Sequence, residues 1–486
     1  MSDKWGAVLY LSPGLNSLFA IYFCLKGKNM NKVSKQELFE NTAIPKAVLT
    51  LSIPTVLSSL VMVLYNMADT YFVGMLNDPI QNAAVTFAAP VMLAFNAVNN
   101  LFGVGASSMM SRSIGSKDYD TVHRASAFGF WGAVSFGLLL SILVSVFLGP
   151  LLRLLGASGD NLSTTADYMF WTVCLGAVPS ILNVVMAYLV RSEGATLHAS
   201  IGTMSGCILN IILDPIFILV LGMGAAGAGL ATFISNCIAC LYFFVLLIVR
   251  RRNTFVCIDP RKVSFKRNIV FGICGVGIPA SIQNLLNVTG MTVLNNLTAA
   301  AGDAAVAAMG ISQKIGMIPM YISMGISQGV MPLIGYNYGS RNVKRMRDTV
   351  GFSACISIGF LTLCTVLFSI FSSPLIRLFM SDPDVVAFGS RFLRGFALAQ
   401  PFLAMDFLAV GVFQACGMGK KALVFAFLRK IALEIPALIV LNKLFPVYGL
   451  AYAQFAAEIV LAVAAVFTLR SLFKKLDATL SNNEGA

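Results

Sequence analysis

Ionisable side chains within long apolar stretches are the residues of this sequence that could do chemistry. An acid or a base at the centre of a membrane helix costs roughly 2.5–3.5 kcal/mol on the insertion scale. Such residues are therefore rare and mark ion sites or proton relays by default, although any single one can also be a buried structural group. The ones that occur here are Asp69, Asp214, Lys314, Asp406, Arg429, Lys430, Glu434 and Glu458.

Two of these acids have neighbours that could bind a small cation. Asp214 stands in NIILDP, with Asn210 one helical turn earlier on the same face and a proline directly after it. That proline leaves a backbone carbonyl of the preceding turn without its hydrogen-bond partner. Thr232 lies in LATFISN on the next apolar stretch. Oxygen groups without His or Cys suit Na⁺ or a proton better than a soft metal.

Asp69 is the second acid, in the stretch LVMVLYNMADTYFVGML, where Tyr65 and Asn66 share its helix face. Two carboxylates close together in a low dielectric repel each other, so one of Asp69 and Asp214 is expected to accept a proton near neutral pH. The sequence thus predicts a site for Na⁺ or H⁺ that draws on several apolar stretches. We expect no other cofactor.

The composition shows what surrounds these residues. The 486-residue chain is 57% hydrophobic and 11% charged, with a mean hydropathy of +0.82, whereas soluble domains carry about 25% charged residues. The net charge of +13 lies mainly in short loops, which is typical of cytoplasmic membrane loops and does not indicate nucleic-acid binding. Most of the ten cysteines lie in apolar segments, so no disulfide framework is expected.

Twelve apolar stretches are long enough to cross a bilayer, which needs about 20 residues per helix. Basic residues concentrate after every second stretch, so both termini are predicted to be cytoplasmic in a multi-pass plasma-membrane protein. The stretches lie at about 49–75, 83–111, 124–150, 163–190, 197–220, 226–250, 269–299, 304–335, 348–373, 385–413, 420–442 and 446–470.

An internal repeat relates the two halves. GVGIPASIQNLL echoes LSIPTVLSSLV, YGSRNVK echoes IGSKDYD and LIRLFMSD echoes LLRLLGAS, always about 220–225 residues later. Six helices per half is even, so the sequence predicts an all-α integral membrane protein of two six-helix lobes, related by a pseudo-twofold axis along the membrane normal.

This repeat sets the predicted domain boundaries. Residues 1–29 either add a helix or precede Met30 as the natural start, and we prefer the second interpretation. The predicted segments are a cytoplasmic extension at 1–45, an N-lobe at 46–250, a basic linker at 251–267, a C-lobe at 268–471 and a cytoplasmic tail at 472–486.

The repeat also provides an internal control for the predicted cation site. Overlaying the halves places Asn210 and Asp214 on Lys430 and Glu434, which are spaced as a helical ion pair. A built-in ammonium would repel a bound cation. The sequence therefore predicts one cation site, in the first lobe.

Several motifs give the chain a resemblance to a known family over about residues 40–475. The chain resembles the MATE (multidrug and toxic compound extrusion) transporters, with its MepA-like and DinF-like prokaryotic branch as the nearest type. The motifs are SIPTVLSSLVMVLYNMADTYFVG at 52–74, GVGASSMMSRSIGSKD at 103–118, LNIILDPIF at 209–217, GAGLATFISN at 227–236 and QGVMPLIGYNYGSRN at 328–342.

This resemblance implies a polyspecific efflux antiporter driven by Na⁺ or H⁺. It places the coupling ion at Asp69, Asn210, Asp214 and Thr232, and a conformationally active helix-1 proline at Pro54. Other branches use an acid on helix 7 or helix 10. Helix 7 here has none between residues 278 and 301, and the helix-10 acid of this chain does not align exactly enough to take that role. The acid that the MepA-like branch often has on helix 4 is missing as well.

A substrate cavity is predicted between the lobes. Methionines at helical spacing could form an adaptable lining, although such residues are more often lipid-facing or core residues. The amides could orient a ligand or join helices, and Lys314 could pair with Asp406 or bind an anionic group. The predicted lining comprises Gln283, Asn287, Met291, Lys314, Met317, Gln328 and Asp406.

The sequence analysis thus predicts a monomeric antiporter that exports small amphipathic, cationic compounds in exchange for Na⁺ or H⁺ by alternating access. The alternative is a lipid or lipid-linked-sugar flippase, for which Lys314, Arg391 and Arg394 are the only basic hints. A membrane enzyme is disfavoured, because His123 and His198 lie in or beside predicted loops and complete no catalytic set.

Overall fold

The computed structural model of the chain describes residues 35–76, 78–157 and 159–484. The described part is almost entirely helical and contains no strand, which confirms the all-α prediction. The segment 1–29, with its two possible interpretations, lies outside the described residues. A short helix, Lys35–Glu40, ends where the backbone N–H of Thr42 donates to the carbonyl of Glu37 at 2.9 Å.

Six long helices make up the first half of the fold. α4 bends by 49° at Gly176, between its two parts. A short helix, Leu148–Leu154, separates α3 from α4. The six are α1 (Ile44–Gly74), α2 (Pro79–Gly115), α3 (Tyr119–Val146), α4 (Asn161–Leu175 with Ala177–Ser192), α5 (Thr196–Val220) and α6 (Gly224–Val249).

The second half repeats this order. The short helix Ser372–Arg377 separates α9 from α10, as its counterpart separates α3 from α4. The long helices are α7 (Arg267–Ala299), α8 (Asp303–Gly339), α9 (Val343–Ile370), α10 (Pro383–Ala415), α11 (Gly419–Phe427, Leu428–Glu434 and Ile435–Leu444 in succession) and α12 (Gly449–Glu484).

Ten helices of the described part are long and apolar enough to cross a membrane, and the bent α4 makes eleven. α11 is the exception, because Arg429, Lys430 and Glu434 interrupt its apolar sequence. The chain is therefore a multi-pass membrane protein, and the count of twelve spans stays a prediction.

The two halves approach each other most closely at one end of the helices. Near the start of α1, a Cβ added to Gly329 of α8 would lie 2.7 Å from the Cα of Ser52 and 2.9 Å from the carbonyl oxygen of Leu51. Near the end of α2, the backbone of Arg112 lies directly against Gly339. The lobes are thus in backbone contact on the side where α1 and α7 begin and α2 and α8 end.

The basic linker predicted at 251–267 is ordered against the first half. Trp131 Nε1 donates to the carbonyl of Ile258 at 3.0 Å, and the carboxylate of Glu193 accepts from the Phe255 N–H at 2.6 Å. In the segment predicted as a cytoplasmic tail, α12 continues as a helix to Glu484, and the cytoplasmic location of this segment stays a prediction. An ion pair between Arg347 and Asp477 joins this extension to the first turns of α9.

Candidate functional site

The predicted cation-site residues of the first half come together at the junction of α1, α5 and α6. Asp214 is the last α-helical residue of α5, and Pro215 begins a wider π-helical turn, Pro215–Val220. Such turns are frequent at functional sites because they redirect side chains within a helix. Asp214 and Asn210 are both buried, with exposed fractions of 0% and 2%, while Asp69 is half-buried.

Hydrogen bonds hold the side chain of Asn210 between Asp214 and Thr232. With its amide nitrogen facing Asp214, Asn210 donates to Asp214 Oδ2 at 2.9 Å. Its amide oxygen then accepts from the hydroxyl of Thr232 at 3.2 Å and from the backbone N–H of Thr232 at 3.1 Å. Asp214 Oδ1 is buried and has no hydrogen-bond partner among the described residues. The cluster therefore holds a carboxylate oxygen that a bound cation or proton could satisfy.

Two tyrosines complete this cluster. Tyr65 of α1 lies near the side chain of Thr232 and interacts electrostatically with Asp69. Tyr168 of α4 interacts electrostatically with both Asp69 and Asp214. The helix face shared with Asp69 indicated Tyr65 in the sequence, whereas nothing indicated Tyr168, because its position depends on how α4 packs.

Two other amides of α1 and α6, Asn66 and Asn236, form no hydrogen bond to either carboxylate among the described residues. Asn66 is exposed, and Asn236 donates to the hydroxyl of Ser180 at 3.0 Å and accepts from Asn183 at 3.2 Å. Across the described residues, no group of three or more His, Cys, Asp or Glu side chains could hold a metal ion. The cluster is thus an oxygen set built on two carboxylates.

The corresponding place in the second half contains its own cation. The Nζ of Lys430 donates to both carboxylate oxygens of Glu434 at 2.7 Å, as their helical spacing predicts. Arg429 forms ion pairs with Asp406 at 3.2 Å and with Glu458 at 2.7 Å. All five side chains are buried, so this half has internal counter-charges that the first-half cluster lacks.

A cavity of about 440 Å³ opens beside these ion pairs, within the range of small-molecule sites. Its lining comes mostly from α7, α8, α10 and α11, and α2 and α4 contribute only Asn100, Val104 and Tyr188. Four methionines of α8 face the cavity: Met317, Met320, Met324 and Met331. Five of the predicted lining residues are in place: Gln283, Asn287, Met291, Met317 and Gln328.

Lys314 and Asp406 were predicted to line the cavity, but the structure places both outside it. Lys314 is exposed and lies in a separate apolar groove with Met67 and Phe360, because it is rotated by about 100° from the cavity-lining Gln313. Asp406 is buried behind the cavity wall, where it pairs with Arg429. The predicted pairing of Lys314 with Asp406 is therefore wrong.

The cavity amides also join helices. Gln414 donates to Gln283 at 3.3 Å, between α10 and α7. Arg191 of α4 donates to Gln328 of α8 at 3.1 Å, across the two halves. The sequence did not indicate that Lys430 and Glu434 would face the cavity, since it predicted their pairing and not the direction of α11.

Pro54 lies within α1, which is a continuous helix across it. The proline stands between Ser52, which contacts Gly329, and Val56, which contacts Gly325 of α8. A helix that lacks one backbone hydrogen bond is locally easier to bend. The weakest turn of α1 thus faces the other half, and its conformational role stays a prediction.

Comparison with known proteins follows the same two-half division. A family model described as MatE matches residues 54–216 and residues 279–440, once in each half. The multidrug export protein MepA of Staphylococcus haemolyticus (strain JCSC1435) is 33% identical over 439 residues, which cover 90% of this chain and 96% of that protein. MepA of Staphylococcus aureus (strain MSSA476) is 32% identical over 445 residues, with coverages of 91% and 97%.

Solved structures show the same similarity. A crystal structure of MATE in complex with MaL6 aligns with a TM-score of 0.87 at 26% identity, over 92% of this chain and 100% of that one. The outward-facing conformation of a multidrug resistance MATE family transporter of the MOP superfamily aligns with a TM-score of 0.86 at 26% identity, over 93% and 100%. The chain therefore belongs to the MATE family.

Proposed function

We propose that this chain is a secondary multidrug antiporter, which exports amphipathic, cationic compounds in exchange for Na⁺ or H⁺ by alternating access. It works as a monomer in the plasma membrane with both termini in the cytoplasm. The observation that carries the proposal is the cluster of Asp69, Asn210, Asp214 and Thr232. It contains a buried carboxylate oxygen of Asp214 that has no hydrogen-bond partner in the described part of the chain, at the position where the second half has a built-in ammonium.

The two multidrug export proteins that cover nearly the whole chain support export of small compounds. The backbone contacts between α1 and α8 and between α2 and α8 close one side. The cavity extends toward the other ends of α7 and α8, where Met291 and Gln313 line it. This arrangement supports an outward-facing state, as in the outward-facing relative.

The coupling step follows from electrostatics. A cation or proton that reaches Asp69 and Asp214 reduces the repulsion between them, which lets α1 repack around Pro54 and the lobes change their contacts. A membrane potential of 100 mV, negative inside, contributes about 2.3 kcal/mol for each positive charge that moves into the cell. At about 1.4 kcal/mol per tenfold ratio, each net positive charge that moves inward per cycle supports a substrate gradient of roughly fiftyfold at 100 mV. A monovalent cationic substrate therefore draws on the potential only when more than one coupling ion enters per cycle.

The test is transport into inverted membrane vesicles, with a Na⁺ gradient and a pH gradient imposed separately. We expect one of the gradients to drive substrate uptake and Asp69→Asn to abolish it while the variant still inserts. Asp477→Asn, which removes an exposed acid on the α12 extension, is the matched control and should transport as the wild type does. Full transport by Asp69→Asn contradicts the scheme.

The three basic residues that suggested a flippase lie outside the cavity. Lys314 lies in the separate groove. Arg391 stacks over the ring of Tyr448 at 4.5 Å, and Arg394 donates to the hydroxyl of Ser372 at 2.9 Å. The basic residues that do line the cavity, Arg429 and Lys430, are paired with acids, so among the described residues the cavity offers no unpaired basic side chain to an anionic lipid head group.

A further inference from the structure

The ion-paired cluster beside the cavity has unequal numbers of positive and negative side chains. Arg429 and Lys430 supply two positive charges, and Asp406, Glu434 and Glu458 supply three negative ones. Fully ionised, the cluster has one excess negative charge, and buried charge without compensation is costly. Of its three acids, only Glu434 lines the cavity, and it is the only carboxylate among the described lining residues.

Lys430 and Glu434 are held at the cavity wall by α11 and α7. Both lie on the π-helical turn Leu428–Glu434. The Lys430 stem packs against Gly290 of α7, where an added Cβ would lie 2.9 Å from Lys430 Cδ and 3.4 Å from its Nζ. Both oxygens of Glu434 face this single ammonium. An organic cation in the cavity therefore meets a carboxylate that already has a partner.

We propose that Glu434 is the anchoring acid for monovalent organic cations and that Lys430 is a tethered competitor for it. The inference rests on the proposed export function and names its substrate class and the residues that select it. A bound cation displaces the Lys430 ammonium toward the water of the cavity, and it offsets the excess negative charge of the cluster. Return of Lys430 to Glu434 releases the substrate.

The surroundings suit such a cation. Methionine thioethers of α8 and the rings of Tyr321 and Phe407 line the cavity, and soft and aromatic groups bind bulky organic cations well. Arg429 also lines the cavity, but it forms ion pairs with two buried acids, Asp406 and Glu458, that do not line it. Lys430 is thus the basic residue of the wall that exchanges partners.

The experiment measures binding to the purified full-length protein by equilibrium dialysis, with tetraphenylphosphonium as the permanent cation and triphenylphosphine oxide as its neutral analogue. Lys430→Met is expected to tighten tetraphenylphosphonium binding by about tenfold, and Glu434→Gln to weaken it by about tenfold, since each alters one close charge pair. Neither change should move binding of the neutral analogue by more than about twofold.

Lys314→Met is the matched control, because it removes a lysine of the same half outside the cavity, and it should bind both probes as the wild type does. If Lys430→Met does not fold, the double variant Lys430→Met/Glu434→Gln removes both charges and should lose cation binding while keeping the neutral analogue. Unchanged or weaker cation binding by Lys430→Met, or none by the wild type, overturns the inference. The vesicle assay measures export of substrates separately. A negative result in the binding experiment therefore contradicts the roles of Lys430 and Glu434 and does not decide the proposed function.

Discussion

The two buried carboxylates at equivalent places in the halves differ in their partners. Glu434 has an ammonium at 2.7 Å from both oxygens. Asp214 has an amide on one oxygen and no basic partner among the described residues. A carboxylate with an internal counter-ion can bind another cation only after that counter-ion moves away, because two cations at one carboxylate repel each other. At the residue scale, the lysine that stands in place of Asn210 therefore distinguishes an open candidate site for a coupling ion from an ion pair that must first be broken.

The ion pairs of Arg429 give a stability prediction at the same scale. Arg429→Gln leaves Asp406 and Glu458 buried without their shared partner, and breaking a buried pair costs about 3–5 kcal/mol. We expect a large fall in the thermal unfolding temperature of the purified protein. Arg470→Gln, at an exposed position of α12, should have little effect. Equal unfolding temperatures for the two variants would show that the ion pairs do not stabilise the fold.

At the scale of elements, the close contact between α1 and α8 depends on glycines of α8. Gly329 lets the backbone of α8 approach that of α1 at Ser52 and Leu51, two residues before Pro54. A close contact of this kind holds the lobes together on one side, and it lies within the turn of α1, residues 50–54, that Pro54 leaves without its backbone hydrogen bond. The element that must bend is thus placed at the contact that must open.

Gly329→Ala tests this contact. Its added Cβ would lie under 3.0 Å from backbone atoms of α1, and overpacking of this kind costs typically 1–3 kcal/mol. We expect a lower unfolding temperature and weaker transport, because the closed contact is lost. The control is Gly310→Ala on the same helix, where nothing lies within 4 Å of the added Cβ. That change should stabilise α8 by up to about 1 kcal/mol through helix propensity, and a destabilised control would contradict this explanation.

At the scale of the whole molecule, the duplication gives both halves the same order of helices, so we expect both to enter the membrane with the same orientation. The family model matches once in each half, and each half inserts a short helix at the same point of its order. The halves are in backbone contact on one side, and the cavity lies on the other, lined mostly by the second half and by three residues of the first. Alternating access requires such a closed side and such an open side.

The orientation itself can be tested with single cysteines in a background without the native ones. Lys262→Cys lies in the exposed linker and Ser381→Cys in the exposed loop before α10. We expect a membrane-impermeant maleimide to label Ser381→Cys in intact cells and Lys262→Cys only after the membrane is opened, since basic loops stay cytoplasmic. The reverse pattern would invert the topology.

Much of this molecule was determined by its sequence alone. Apolar length, the spacing of the repeat and the i,i+4 pairs are local or periodic properties, so the all-α class, the two-half order and the Lys430–Glu434 pair followed from them. Tertiary structure alone decided that Tyr168 joins Asp69 and Asp214, that Lys314 faces an outer groove, and that Asp406 pairs with Arg429. The physical reason is rotation about the helix axis: one residue turns a side chain by about 100°, and only packing against other helices determines which direction faces the cavity.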